Sequence, residues 1–114
     1  MIQDFKTLYG AEAEAQRARY AALDTAFAEE FGAADALEYF SAPGRTEIGG
    51  NHTDHNHGKV LAAAVNLDVI AAVKKTDNGV IRLKSAGYPM DTVDTADLAV
   101  KEGEKERSGA LIRG

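Results

Sequence analysis

Between Asp4 and Phe31 the chain consists mostly of strong helix formers, and Tyr20, Leu23, Phe27 and Phe31 recur at spacings of three and four. That periodicity predicts one amphipathic helix, or two with a break near Gly10, ending at Gly32, where glycine takes the left-handed C′ conformation without a Cβ clash. Such an aromatic stripe packs a core far more often than it stacks a ligand. The pattern then changes. LEYFSAPGR is a short strand-like run that stops at Pro43-Gly44, a turn signal. GKVLAAAVNLDVIAAVKK predicts one long or two short buried strands, with AAAV alone equally compatible with helix. Asn78-Gly79 predicts a hairpin, followed by Ile81, Leu83 and Ser85 alternating with Val80, Arg82 and Lys84. YPMDTVDTADL predicts a loop and then an edge strand. KEGEKER reads as a solvated linker. Ser108 is a candidate N-cap for a helix beginning in SGALIRG, and an apolar run at the terminus suggests truncation.

Composition narrows the classes. At 114 residues the chain fits one domain, 1–114, with one modest core, and 45% apolar against 27% charged residues is ordinary for a folded globular protein. A net charge of −5 without a basic stripe argues against nucleic-acid binding. The apolar run from Val60 to Val73 is broken by Asn66 and Asp68 and falls short of the roughly 20 residues of a membrane span. The N-terminus lacks a basic start, apolar core and cleavage site, which argues against secretion. Zero cysteines exclude disulfides and thiolate zinc sites.

Candidate chemistry concentrates in GRTEIGGNHTDHNHG, residues 44–58, which contains all three histidines, His52, His55 and His57. Imidazoles beside Asp54 offer nitrogen and oxygen ligands for zinc, but no further histidine lies downstream to complete such a site. Gly44, Gly49, Gly50 and Gly58 with Arg45 suggest a phosphate cradle, yet their spacing fits no nucleotide fingerprint. Ser41, His52 and Asp54 lack the turn that would make a hydrolase nucleophile of Ser41. A third possibility is polyol recognition, with Asp54 accepting from two neighbouring hydroxyls, Asn51 offering donor and acceptor, and His52 either according to tautomer. Its plain counterpart is that Asp54 and Asn56 bond their own backbone. The chemistry alone does not separate these two.

SAPGRTEIGGNHTDHNHGKVLAAAVNLDV closely resembles the galactokinase signature: a proline-glycine-arginine turn, a G-E-H-x-D-Y type segment, a glycine and an apolar strand. The resemblance extends over almost the whole chain, with SGALIRG similar to the start of the helix before the family's lid region. It implies an α+β fold in which an N-terminal helix packs on a mixed, mostly antiparallel sheet. That is part of the N-terminal domain of the GHMP small-molecule kinases, which is ribosomal protein S5 domain 2-like. It also implies a cytoplasmic enzyme that uses ATP and Mg²⁺ to convert galactose to galactose 1-phosphate, with no nucleic-acid or membrane partner. The galactose-binding segment would be 41–58. Arg45 matches the arginine that stabilises charge beside the reacting hydroxyl, a role suited to phosphoryl transfer. His52 and Asp54 match the positions that hold the sugar.

Three departures stand out. Glu47, Ile48 and Gly49 replace asparagine-leucine-isoleucine, Asn51 replaces a glutamate, and His55 replaces a tyrosine. The amide at Asn51 accepts hydrogen bonds less strongly than a carboxylate, which leaves galactose, N-acetylgalactosamine or a related sugar open. The family's phosphate loop, catalytic aspartate and C-terminal domain have no counterpart in these residues, so the expected chain is inactive alone, and an unpaired sheet edge favours a homodimer. Two other functions stay open: a non-catalytic sugar-binding or sensing module, and a His/Asp metal-binding domain.

Overall fold

Asp4 starts the first helix, its carboxylate accepting from the Thr7 N–H at 2.9 Å and from the Thr7 hydroxyl. This helix, α1 (Phe5–Tyr9), stops where Gly10 adopts φ +54 and ψ −121, a conformation open to glycine. A 3-10 turn (Gly10–Glu12) leads into α2 (Ala13–Phe31), so the predicted break falls at Gly10. Gly32 ends α2 with φ +92, donating its N–H to the Ala28 carbonyl at 3.0 Å. Tyr20 is buried, and Leu23, Phe27 and Phe31 are half-buried along the predicted face.

Residues 4–50 and 56–114 are described by this computed structural model, and the chain divides into two units between Lys74 and Lys75. In the first, β1 (Glu38–Gly49) pairs antiparallel with β2 (Leu61–Val73), from Glu38 opposite Val73 to Gly49 opposite Leu61. Pro43-Gly44 is therefore not a turn. It lies inside β1 as an irregularity, because the register passes from Pro43 opposite Asp68 to Arg45 opposite Ala64, leaving Val65, Asn66 and Leu67 across from Gly44 alone. A Cβ on Gly44 would approach the Val65 Cγ2 to 3.1 Å, which is why a residue without one sits there. The protected positions of β2 change phase at the same place, from Ala63 and Val65 to Asp68, Ile70 and Ala72.

The core of this unit is aromatic. Phe5, Ala13 and Tyr20 are buried, with Tyr9, Tyr39 and Ile70 packed against them. Tyr20 is 5% exposed and meets Phe5 and Tyr39 edge to face at centroid distances of 5.3 and 5.6 Å. Its hydroxyl lies 2.9 Å from that of Tyr9, while Tyr39 donates to Asp24 at 2.6 Å. The expectation of buried strands fails on the other face: Phe40, Leu67 and Val69 are 54%, 76% and 74% exposed. One helix layer protects one side of a two-stranded ribbon, and among the described residues of this unit no second layer covers the other.

The second unit holds β3 (Val80–Leu83), β4 (Asp91–Asp94), a 3-10 turn (Glu102–Glu104) and α3 (Ser108–Arg113). β3 pairs antiparallel with β4, not with β2, so the hairpin expected at 78–79 does not form. The local chemistry of a turn is present: Gly79 has φ +69, and the Asn78 side-chain oxygen accepts from the Val80 N–H at 3.1 Å. The partner is different because Thr95 holds the Gly79 carbonyl with its N–H at 2.9 Å and its hydroxyl at 2.8 Å, which joins Gly79 to β4. All described strand pairs are antiparallel, in keeping with the expected α+β fold with a mostly antiparallel sheet, and they form two two-stranded sheets. Val93 is fully buried.

The C-terminal charge run is more structured than a linker. Arg113 grips Glu104 through Nε at 2.7 Å and Nη2 at 3.2 Å, and Gly109 leaves room for that carboxylate, since a Cβ there would lie 3.3 Å from its carbon. Arg107 is the N-cap residue of α3 and Ser108 its first helical residue, so the helix starts one position earlier than the sequence suggested.

The tyrosine cluster gives a pH prediction. Burial, with the Tyr9 hydroxyl second, pushes Tyr20 up to about 12, and the hydrogen bond to Asp24 pushes Tyr39 up to about 12. Both are acids favoured in their neutral form by folding. Their stabilisation is thus complete below pH 10 and is lost as pH rises from 10 to about 12. In a phenolate absorbance titration, two of the four tyrosines should ionise late; four ionising together near 10 would refute the cluster. Tyr20→Ala should cost ~3–5 kcal/mol in urea unfolding, as large aromatic truncations in cores do.

Candidate functional site

The long ribbon of β1 and β2 carries the candidate loop at its far end from Glu38. Arg45 is the first residue of β1 beyond the Pro43-Gly44 irregularity and is exposed. The neck of the loop is set by backbone contact. Gly49 is opposite Leu61, and Gly50 takes φ +83 so close to Lys59 that a Cβ would stand 2.1 Å from its carbonyl oxygen. No side chain fits there. The chain leaves β1 and re-enters β2 through this neck. On the return side, His57 is exposed and holds φ +59, uncommon for a residue with a Cβ.

Asn51, His52, Asp54 and His55 lie outside the described residues. Of the sequence candidates, Ser41, Arg45, His57 and the glycines Gly44, Gly49, Gly50 and Gly58 are the ones the structure describes. Gly44 and Gly50 have structural reasons of their own: one makes room for Val65 and the other for the Lys59 carbonyl. Among the described residues no group of three or more His, Asp or Glu side chains is placed to hold a metal ion.

Below the loop lies a cluster that the sequence signalled only weakly. Asp68, opposite Pro43, is 15% exposed and accepts from the Ser41 hydroxyl at 2.5 Å and from the Arg19 guanidinium. Arg19 also donates to the Asp68 carbonyl at 2.7 Å. The Ser41 hydrogen bond, and then that of Arg19, hold the Asp68 carboxyl below the usual carboxylate range. Asp68 thus contributes stability at neutral pH that is lost as pH falls through its lowered value. In the sequence Asp68 was visible only as an interruption of an apolar run; a lone carboxylate there, with arginine on a neighbouring helix face, is the pattern that marks a pinned strand.

Residues 25–75 match a family described as the galactokinase galactose-binding signature. That span runs from the second half of α2 through β1, the loop and β2. The chain is 35% identical over 86 residues to a galactokinase of Lactococcus lactis subsp. cremoris, covering 73% of this chain and 22% of that protein. It is 37% identical over 87 residues to a galactokinase of Candida parapsilosis, covering 73% and 17%. Its fold is similar to the crystal structure of Lactococcus lactis galactokinase complexed with galactose, with a TM-score of 0.74 and 29% identity over 84% of this chain and 25% of the other.

The chain matches the N-terminal part of a galactokinase. It spans about a quarter or less of the galactokinases it resembles. Its α+β fold, with an N-terminal helix and antiparallel strand pairs, is consistent with part of a GHMP kinase N-terminal domain. The neck places its strictest demand on one residue. Gly50→Ala should open the loop neck at a cost of more than ~1–3 kcal/mol, from positive φ and the clash together. Amide hydrogen exchange should rise at Gly49 and Leu61 while the amides of α2 stay protected, and wild-type exchange at the neck would overturn the assignment.

Proposed function

We propose that this chain is the galactose-holding portion, centred on residues 41–58, of an ATP-dependent galactokinase, which forms galactose 1-phosphate and ADP. The observation that carries the proposal is the likeness, at a TM-score of 0.74, to a galactokinase whose crystal structure is that of its galactose complex. The galactose-binding signature falls across the same ribbon and loop. In the proposed site Asp54 accepts hydrogen bonds from adjacent sugar hydroxyls, and His52 and Asn51 complete the polar set. Arg45 lies beside the reacting hydroxyl and offsets the negative charge that spreads over a phosphoryl group in transfer.

ATP with Mg²⁺ supplies the phosphoryl group in the whole enzyme. In this proposal the chain binds and orients the sugar, and phosphoryl transfer belongs to the whole enzyme. Each strand of the β1/β2 ribbon has one neighbour among the described residues, which supports a homodimer formed through an outer edge.

Galactose titrated into the chain should shift the amide resonances of Gly50 and of Asn56 to Lys59. Asp54→Ala should weaken that response at least about tenfold, the cost of removing a charged hydrogen-bond acceptor. An unaltered response in Asp54→Ala would sink the site, and the same titration with N-acetylgalactosamine ranks the sugars that Asn51 admits. Sedimentation should find a dimer.

A further inference from the structure

The Arg19, Asp68 and Ser41 cluster joins three separate segments beside the larger of the two irregularities in the β1/β2 ladder, the one between Pro43 and Arg45. Pro43 stands opposite Asp68 and has no N–H to give to it. Arg19 donates to the Asp68 carbonyl at 2.7 Å, and its other terminal nitrogen engages the Asp68 carboxylate. A guanidinium is suited to this, because its planar fork serves two acceptors at once where an ammonium acts as a point. The second carboxylate oxygen takes the hydroxyl of Ser41, two residues before Pro43 on the partner strand. Asp68 is thereby tied to α2 on one side and to β1 on the other.

Position makes this more than general support. Just past Pro43 the register changes, with three residues of β2 opposite one of β1, and the next paired residue is Arg45. Without a fixed point, strands of alanine and small residues such as Ala62, Ala63 and Ala64 specify their register weakly, since a slip costs little packing.

We infer that Arg19, Asp68 and Ser41 form a positioning clip that fixes the register of the ribbon on the loop side of Pro43 and so aims Arg45 and the neck of the loop. Its part in sugar binding rests on the function proposed above; its part in register does not.

The test is residue-resolved amide exchange on the whole 114-residue chain and its variants Arg19→Lys, Asp68→Asn, Ser41→Ala and Ser41→Thr. Exchange at Arg45 to Glu47 and Ala62 to Ala64 should rise about tenfold in the first three, as expected for loss of a charged hydrogen bond, while Tyr39, Phe40, Ala71 and Ala72 change little. Ser41→Thr, which keeps the hydroxyl, should restore the wild-type pattern. An equal rise on both sides of Pro43 would mean general destabilisation and would overturn the clip, as would no rise in any variant. Should Asp68→Asn fail to fold, the Ser41 pair decides by the same criterion. Galactose added to the wild-type chain separates the two proposals: the expected exchange pattern without any galactose response upholds the clip and removes its sugar role.

Discussion

The first unit depends on how α2 is fastened to a ribbon only two strands wide. Such a ribbon has little stability of its own and needs a packed face. Here the packing is an aromatic cluster built on Tyr20, and the fastening is polar: Tyr39 to Asp24, and Arg19 to Asp68. The aromatic contacts supply burial but slide easily past one another. The hydrogen-bonded ion pair has a definite geometry, so it sets which residue of β2 lies under which turn of α2.

That division of labour reaches the loop through the strand itself. Asp68 is fixed at the register change, Arg45 follows at the next paired position, and the ribbon ends at a neck where Gly50 meets the Lys59 backbone. The loop is thus anchored at its base by two backbone constraints. One comes from a proline that cannot donate, the other from a glycine that cannot be replaced.

The opposite face of the ribbon gives the protein a different character. Phe40, Leu67 and Val69 stand in solvent, while the relatives that contain a similar segment are several times longer. An antiparallel sheet with one solvated face normally alternates apolar and polar residues. β2 instead carries apolar side chains on both faces, the composition of a strand covered on two sides.

Much of the local structure was legible in the sequence. The helical face through Tyr20, Leu23, Phe27 and Phe31, the break at Gly10 and the stop at Gly32 follow from periodicity and from the freedom of glycine at positive φ. The resemblance of the 44–58 stretch to a galactokinase was legible too, because it rests on residue identities in order. Strand pairing was not. Pro43-Gly44 and Asn78-Gly79 both carry turn chemistry, yet the first lies inside a strand of twelve residues and the second leads into a strand paired with β4. A turn signal records what the backbone can do locally, whereas the partner is chosen by distant groups such as Thr95 at Gly79 and Asp68 opposite Pro43. The weight of Asp68 itself was hidden for the same reason. The sequence by itself determined the elements and the family to which their order corresponds; only the tertiary structure decided register, because register depends on contacts between residues as far apart as Arg19 and Asp68.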